Sequence, residues 1–321
     1  MENRIARLAF VTLLVGCSIC YAQVSNMPTS IQQWLAEIGP QWNKRAADVA
    51  MAAEIYAPIL RNAPKAGIKI THNLSYGPDK LQQFDLFQPE GKTGVPVVVF
   101  IHGGRFVRGT RYQNEEFTAN VPTYFARHGM VGITADYRLA PAVQWPAQSE
   151  DVGSLLKWIK AHAAQYGGDP NRIYLIGHSA GAAAVATYLC FRSLQPPDGP
   201  GISGAVLISG RYIVEASPND PGLKEMQAYF GTDVSKYPER SVINHIKDMP
   251  RVPVFIVVAE YDNPERDAWG ARLFSAICDR DQACPRFKRL EWHNHGSEVL
   301  SFNSPDEELG QEILNFIARG R

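Results

Sequence analysis

The sequence predicts an α/β fold, in which a mostly parallel, doubly wound sheet is covered by helices on both faces. Two observations lead to this prediction. Runs rich in β-branched residues return at intervals along the chain, and segments with helical spacing of apolar residues lie between them. The composition agrees, because 45% of the 321 residues are apolar and 20% are charged. No linker-like stretch divides the chain, so we expect one domain after the N-terminal segment.

The N-terminal segment, residues 1–22, has the pattern of a secretory signal peptide. Arg4 and Arg7 precede the short apolar run LAFVTLLVG, and the segment ends with CYA. The run is too short to span a membrane. A lipoprotein signal is the alternative, since LVGC places Cys17 after a small residue, but the apolar SICYA that follows favours the signal peptide. We therefore expect residues 23–321 to form an exported domain, periplasmic or secreted.

The elements of this domain can be assigned in chain order. Residues 28–62 have helical spacing, so residues 23–66 are predicted to be an N-terminal helical cap segment. The alternating segments IKITHNLSYG and LQQFDLFQP fit an antiparallel start to the sheet. Strands buried on both faces are predicted by five apolar runs: VPVVVFIHGG, GMVGITADY, NRIYLIGHS, ISGAVLISG and RVPVFIVVAEYD. Helical patterns occur near 114–128, 149–166, 179–194, 265–279 and 307–319. Residues 211–248 interrupt the alternation and are predicted to be an insertion near the active site.

The charges and cysteines exclude some classes of function. Lys plus Arg and Asp plus Glu both number 32, which gives no electrostatic footprint for nucleic acid or a membrane surface. Cys278 and Cys284 flank the polar segment DRDQA, and an oxidising compartment would permit a disulfide between them. Cys190 lies on the apolar side of a predicted helix and is expected to be a buried free thiol. No cysteine pair has zinc-ligand spacing with histidines, so no structural metal is expected.

The segment IYLIGHSAGAAAVATYL contains the pattern G-x-S-x-G between a strand and an Ala-rich helix. Gly177 and Gly181 flank Ser179. In this context the pattern is typical of a nucleophile elbow, a strained turn that presents one hydroxyl above the edge of a sheet. A serine needs a base and an orienting acid to react near neutral pH. A chance glycine-rich turn is the alternative, and the strand–turn–helix context favours a catalytic Ser179.

The segment FIHGGRF follows the first long strand and is predicted to form an oxyanion hole. Gly103 and Gly104 let the backbone direct its N–H groups towards one point. The N–H of Ala180, next to the predicted nucleophile, would supply a third donor. His102 is expected to brace this glycine loop. A plain glycine turn is the alternative interpretation, and its coincidence with the elbow argues against it.

The acid is sought after the serine, because strand-end carboxylates follow the nucleophile in this order of elements. Asp262 ends the run VFIVVAEYD and is our predicted acid. Glu260 still falls in the alternation of the strand, and Asp267 lies in the next helix, so both are weaker candidates. Asp136, in the dense segment DYRLAPAVQWPAQSEDV, precedes Ser179 and is expected to form a structural ion pair.

The base is sought in EWHNHGSE, which ends the last predicted strand and contains two histidines. His293 and His295 both fit the order nucleophile, acid, base. We predict His295, because a histidine in the loop before Gly296 is freer to reach Ser179 than one still in the strand. His178 adjoins the serine, but neighbouring side chains on an elbow point apart.

These motifs together resemble the α/β-hydrolase superfamily, and within it the esterases related to hormone-sensitive lipase and the arylformamidase-like bacterial carboxylesterases. The stretches that carry the resemblance are YGPDKLQQFDLFQP, FIHGGRFVRGTRY, DYRLAPAVQWPAQSEDV, GGDPNRIYLIGHSAGA, YFGTDVSKYPERSVINHI, AEYDNP and HNHGSE. The resemblance implies an α/β-hydrolase fold with a small helical cap. It also implies a nucleophile, acid and base at Ser179, Asp262 and His295, and oxyanion donors at Gly103, Gly104 and Ala180.

One position departs from the pattern of the hormone-sensitive-lipase relatives, which usually have a third glycine after His-Gly-Gly. Here that position is Arg105. An inward Arg105 would place a cation near the acyl pocket, whereas an outward one would face solvent or pair with a carboxylate. We favour the outward orientation. Phe106, Trp145 and Tyr212 are candidates for the pocket wall.

The resemblance implies an exported serine hydrolase that cleaves small-molecule carboxylic esters without a cofactor. An amide substrate, such as an aryl formamide, is an alternative that would use the same residues. A non-catalytic binding protein on a hydrolase fold is a third possibility, and it is disfavoured because such proteins usually lose a member of the triad.

Overall fold

A computed structural model describes residues 27–41, 49–112, 117–217, 220 and 222–320. The predicted signal peptide, including Cys17, lies outside the described residues. The helices are α1 Thr29–Ile38, α2 Val49–Arg61, α3 Asn120–Arg127, α4 Ala147–His162, α5 Ala180–Cys190, α6 Leu223–Phe230, α7 Tyr237–Arg240, α8 Pro264–Asp281, α9 Ser297–Leu300 and α10 Glu308–Arg319. The strands are β1 Ile68–Ser75, β2 Gln83–Pro89, β3 Val95–Ile101, β4 Val131–Ala135, β5 Gly168–His178, β6 Gly204–Ile208, β7 Val254–Tyr261 and β8 Arg286–Asn294.

These strands form an eight-stranded sheet in the order β1-β2-β4-β3-β5-β6-β7-β8. β1 and β2 pair in antiparallel fashion, as do β2 and β4, and the remaining pairs are parallel. The predicted antiparallel start and parallel continuation are therefore confirmed. Because β3 and β5 to β8 run in the same direction, the loops that follow them meet at one edge of the sheet.

Alternating side chains of the central strands divide the core between the two faces of the sheet. Val97 and Val99 belong to one buried cluster with residues of α4, α5 and α8, whereas Val98 and Phe100 belong to another with residues of α3 and α10. The strand period of two assigns alternate residues to opposite faces, and apolar side chains on both faces need helices on both faces. This arrangement confirms the predicted doubly wound α/β fold.

The two regions predicted to lie outside the central sheet are largely helical. α1 and α2 lie in the predicted cap segment, and Leu35 and Tyr56 pack there in a separate buried cluster with Leu300. The predicted insertion at 211–248 contains α6, α7 and two short 3₁₀ segments, Val234–Lys236 and Val242–Asp248. Within the described ranges, no helix combines the length and apolar character needed to cross a membrane.

A disulfide joins Cys278, near the end of α8, to Cys284, just before β8, with a Cα–Cα distance of 4.2 Å. This pairing confirms the expectation from the sequence. Cys190 is buried in α5 as a free thiol, and burial raises its pKa to about 12. The disulfide lies at the N-terminal end of β8, opposite the sheet edge at which the predicted catalytic loops meet.

Candidate active site

The predicted elbow is formed as a sharp turn between β5 and α5. Ser179 has φ 56° and ψ −116°, a strained conformation for a residue other than glycine. A Cβ atom at Gly181 would lie 2.1 Å from the carbonyl oxygen of Ile101, and one at Gly177 would lie 2.6 Å from the Cα of Ala182. Both positions therefore require glycine, because the helix begins in contact with the ends of β3 and β5. The G-x-S-x-G spacing has this close packing as its physical cause.

The glycine loop after β3 lies directly against the elbow. A Cβ atom at Gly103 would be 2.9 Å from the Cβ of Ser179. The N–H groups of Gly103, Gly104 and Ala180 donate no hydrogen bond to another of the described residues. Three such donors beside one hydroxyl have the chemistry needed to bind an oxyanion.

His102 braces the glycine loop, as expected from the sequence. Its Nδ1 lies 2.6 Å from the carbonyl oxygen of Gly103, and its ring stacks on Tyr137 with centroids 4.4 Å apart. Asp136 forms a buried ion pair with Arg111, which agrees with the structural role predicted for it. The hydrogen bonds of His102 and Arg111 outweigh the effect of burial and lower the pKa of Asp136.

The predicted base and acid are in contact. His295 Nδ1 lies 2.7 Å from Asp262 Oδ2, and the His295 side chain is 23% exposed. Burial alone would raise the pKa of Asp262, but the charge and hydrogen bond of His295 outweigh it and lower the pKa to about 2. Asp262 is therefore ionised at neutral pH and orients the imidazole so that its Nε2 faces away from the carboxylate.

The hydrogen bonds of the described residues do not include one between Ser179 Oγ and His295. The sequence predicted that His295 would reach both Ser179 and Asp262, and only the second contact is formed. Nucleophile–base contacts are often long before a substrate binds and shorten in the complex. The two residues are nevertheless linked, since His178, directly before Ser179, contacts His295.

The rival carboxylates are engaged elsewhere. Glu260 Oε2 accepts a hydrogen bond of 2.8 Å from the N–H of Trp292, and Asp267 pairs with Arg289 at 3.5 Å. Both lie against the outer strand β8, and neither contacts a histidine in the described structure. Asp262 is the carboxylate of this group that meets His295.

The rival base, His293, belongs to a second Ser-His-Asp cluster that is fully buried. Its Nε2 lies 2.9 Å from Asp306 Oδ2, and its Nδ1 lies 3.1 Å from Ser297 Oγ. These three side chains are at most 2% exposed, so a substrate has no access to them. Ser297 Oγ also accepts a hydrogen bond from the N–H of Asn294. The cluster thus anchors the loop that carries His295.

No pattern in the sequence assigned a role to His178, yet it is part of the site. Its Nε2 donates to the carbonyl oxygen of His295 at 2.9 Å, and the centroids of the two rings are 4.5 Å apart. Burial and the neighbouring His295 lower the pKa of His178 well below 6.5, so it is neutral. His178 therefore joins the elbow to the histidine loop. Its position next to Ser179 is the sequence feature that could have indicated this role.

Glu298 is a second residue of the site that no pattern in the sequence indicated. Its side chain is completely buried, and Oε1 accepts a hydrogen bond of 2.7 Å from Ser209 Oγ. Oε2 lies 3.6 Å from His178 Nε2 and 3.8 Å from His295 Nδ1. Burial and the negative charge of Asp262 raise the pKa of Glu298 well above its usual range. A neutral carboxyl group therefore lies beside the ionised Asp262.

This burial predicts the pH dependence of stability at Glu298. Folding raises the pKa of Glu298, so between the unfolded and the folded pKa the folded protein keeps a proton on this carboxyl group that the unfolded chain has lost. The free energy of unfolding therefore decreases as pH rises between these two pKa values. We expect the stability of Glu298→Gln relative to the parent to increase from pH 4 to pH 8, by at most about 1.4 kcal/mol per pH unit. Urea unfolding at both pH values measures this difference. The exposed Glu291 offers a matched Glu→Gln control, and a pH-independent difference at Glu298 would contradict the prediction.

The four predicted pocket residues have different environments. Arg105 is exposed and pairs with Glu225 of α6 at 3.9 Å, so it extends towards the insertion. Phe106 is buried against the aromatic residues of α6, and Tyr212 is buried in the core on one face of the sheet. Trp145 is partly buried, and its ring meets that of Phe191 edge-on, with the ring centroids 5.2 Å apart.

Two groups of possible metal ligands occur among the described residues. They comprise His178, His295 and Glu298, and His293, Asp306 and Glu308. In the first group His178 Nε2 and His295 Nδ1 are engaged in the hydrogen bonds described above, and in the second group both ring nitrogen atoms of His293 are engaged. A metal bound through these nitrogen atoms would have to displace those contacts.

Comparisons with known proteins agree with this geometry. Residues 84–191 match the model of the BD-FAE family. Lipase 1 of Yarrowia lipolytica is 30% identical over 43% of this chain and 33% of its own length. Probable carboxylesterase 1 of Arabidopsis thaliana is 23% identical over 84% of this chain and 90% of its own length. The chain thus spans only about a third of the lipase but most of the plant protein.

Solved structures show the same fold over nearly the whole chain. Esterase B from Lactobacillus rhamnosis aligns with a TM-score of 0.70 and 18% identity, covering 91% of this chain and 96% of its own. At 18% identity, the similarity between the two structures is a similarity of fold. The sheet, the elbow and the family match agree with the resemblance predicted from the motifs, and the chain has the α/β-hydrolase fold.

Proposed function

We propose that the protein is a serine hydrolase that cleaves small-molecule carboxylic esters through an acyl-enzyme. One observation carries the proposal. The hydrogen bond of 2.7 Å between His295 and Asp262 lies at the same sheet edge as the strained Ser179. Relatives named as a lipase and a probable carboxylesterase support the same reaction class.

The reaction follows from the positions of these groups. His295 Nε2 accepts the proton of Ser179 as Oγ attacks the ester carbonyl, and the N–H groups of Gly103, Gly104 and Ala180 stabilise the oxyanion. His295 then protonates the leaving alcohol. A water molecule, deprotonated by His295, attacks the acyl-enzyme and releases the acid. Asp262 remains ionised and stabilises the imidazolium.

Labelling with a fluorophosphonate probe tests this proposal. We expect one covalent adduct on Ser179, located by peptide mass spectrometry, and saturating hydrolysis of p-nitrophenyl acetate that is lost in proportion to labelling. The probe phosphonylates only an activated serine, so the buried Ser297 is the internal control. Ester hydrolysis that survives complete labelling would reject the mechanism.

We also infer that the protein is exported. Arg4, Arg7 and the apolar run after them support a signal peptide, and the disulfide between Cys278 and Cys284 suits an oxidising compartment. Fractionation of the producing cells, followed by N-terminal sequencing, tests this. A cytoplasmic protein that retains residues 1–22 would refute export, and a lipid-blocked N-terminus at Cys17 would identify the lipoprotein alternative.

A further inference from the structure

Phe106 occupies an unusual position immediately after the oxyanion loop. Arg105 and Phe106 have φ angles of 52° and 70°, a region that bulky residues rarely adopt. Phe106 is nevertheless only 4% exposed. Strain of this kind persists only where the surrounding structure enforces it, and it is concentrated at functional sites.

The surroundings of Phe106 form an aromatic plug, which we define as Phe106, Tyr229 and Phe230. The rings of Phe106 and Tyr229 stack at 4.8 Å with an interplanar angle of 3°, and Phe230 meets Phe106 edge-on at 5.1 Å. The same buried cluster includes Ala180 and Ala183 of α5. The plug therefore packs against the start of the helix that follows Ser179.

The backbone holds the plug from two sides. The carbonyl oxygen of Phe106 accepts hydrogen bonds from the N–H of Ala140 at 3.0 Å and from Gln148 Nε2 at 2.8 Å. The carbonyl oxygen of Tyr229 accepts one from the N–H of Trp145 at 2.9 Å. Ala140 and Trp145 lie in the segment between β4 and α4, and Gln148 lies in the first turn of α4, so these elements hold the backbone of the plug in place.

The order of the strands determines which part of a substrate meets the plug. His295 follows β8 and Asp262 follows β7, whereas Phe106 follows β3, on the other side of β5 and Ser179. His295 must protonate the leaving oxygen, so the alcohol lies on the side of β7 and β8. The carbonyl oxygen faces the glycine loop. The acyl chain therefore extends away from the alcohol, towards β3 and the plug.

We propose that the aromatic plug limits the acyl group to two or three carbon atoms, so that the substrates are esters of acetic or propionic acid with a larger alcohol. This inference rests on the proposed function. Because Phe106, Tyr229 and Phe230 are each at most 4% exposed, a longer chain would have to displace their stacked rings. The part of the site that would hold the alcohol lies beside the partly exposed His295, and the plug does not obstruct it.

Two ester series test the inference. One varies the acyl chain of p-nitrophenyl esters from acetyl to octanoyl, and the other keeps the acetyl group and varies the alcohol. In the parent protein we expect kcat/KM to decrease at least 100-fold from acetyl to octanoyl. Phe106→Ala should reduce this ratio at least tenfold and leave the relative rates in the alcohol series unchanged. Tyr229→Phe retains the stacked ring and is the matched control, in which the acyl ratio should stay within about twofold.

The design separates the possible failures. Each ratio compares kcat/KM values of two esters in the same variant, so a smaller fraction of folded protein does not change it. If Phe106→Ala does not fold, Phe106→Leu takes its place. An octanoyl ester cleaved as well as the acetyl ester by the parent protein would overturn the inference, and so would a Phe106 effect confined to the alcohol series. In both cases fluorophosphonate labelling of Ser179 would leave the proposed function intact. The absence of both labelling and turnover would overturn the two together.

Discussion

Replacement of Ser179 by alanine is expected to lower kcat for ester hydrolysis by about 10⁶-fold, as loss of a triad nucleophile does in other serine hydrolases. The remaining rate would come from substrate binding and the oxyanion donors alone. The serine hydroxyl makes no hydrogen bond to another of the described residues, so its removal leaves no buried partner unsatisfied. The free energy of unfolding should therefore change by less than about 1 kcal/mol.

Steady-state kinetics and urea unfolding of Ser179→Ala measure both quantities. Ser297→Ala is the matched control, since it removes the serine of the buried Ser297–His293–Asp306 cluster. This control should lose stability, because the N–H of Asn294 loses its acceptor, yet it should still be labelled at Ser179. Residual turnover above about 1% in Ser179→Ala, with contaminating activity excluded by labelling, would contradict the assignment of the nucleophile.

Replacement of Asp262 by asparagine is expected to lower kcat by about 10⁴-fold. The amide would keep the size of the side chain but would favour the wrong tautomer of His295 and leave the imidazolium without its counter-charge. The neighbouring Glu298 should not compensate, because burial, the largest cause of its raised pKa, remains when Asp262 is replaced and still favours the neutral carboxyl group. The effect should appear in kcat, with a change in KM of no more than a few-fold.

Asp267→Asn is the matched control for this substitution. Asp267 lies five residues further on in α8 and pairs with Arg289, so its loss should change kcat less than about threefold. Stopped-flow measurement of p-nitrophenol release separates acylation from deacylation, and both steps should be slower in Asp262→Asn, since His295 acts in each. An equal loss in the two variants, or near-normal activity in Asp262→Asn, would reject Asp262 as the orienting acid.

The sequence by itself determined the secondary structure of the sheet and the identity of the reactive loops. The β-branched runs predicted β3 to β7 because a strand covered on both faces needs apolar side chains at successive positions. Gly177 and Gly181 marked the elbow because their Cβ atoms would overlap neighbouring backbone. Asp262 and His295 could be chosen from chain order, since strand-end loops of a parallel sheet meet at one edge. These signals are residue types and their spacing along the chain, so they can be identified in a single sequence.

Only the tertiary structure decided which groups surround these residues. His293 and His295 are two residues apart and look alike in the sequence, yet one is bound to Asp306 and the other to Asp262. The two partners come from separate segments, since Asp262 follows β7 and Asp306 precedes α10. Similarly, Glu298 is neutral because it is buried beside Asp262, and Phe106 meets Tyr229 across 123 residues of chain. Burial, charge coupling and ring stacking join residues that are far apart in sequence, so no local pattern specifies them.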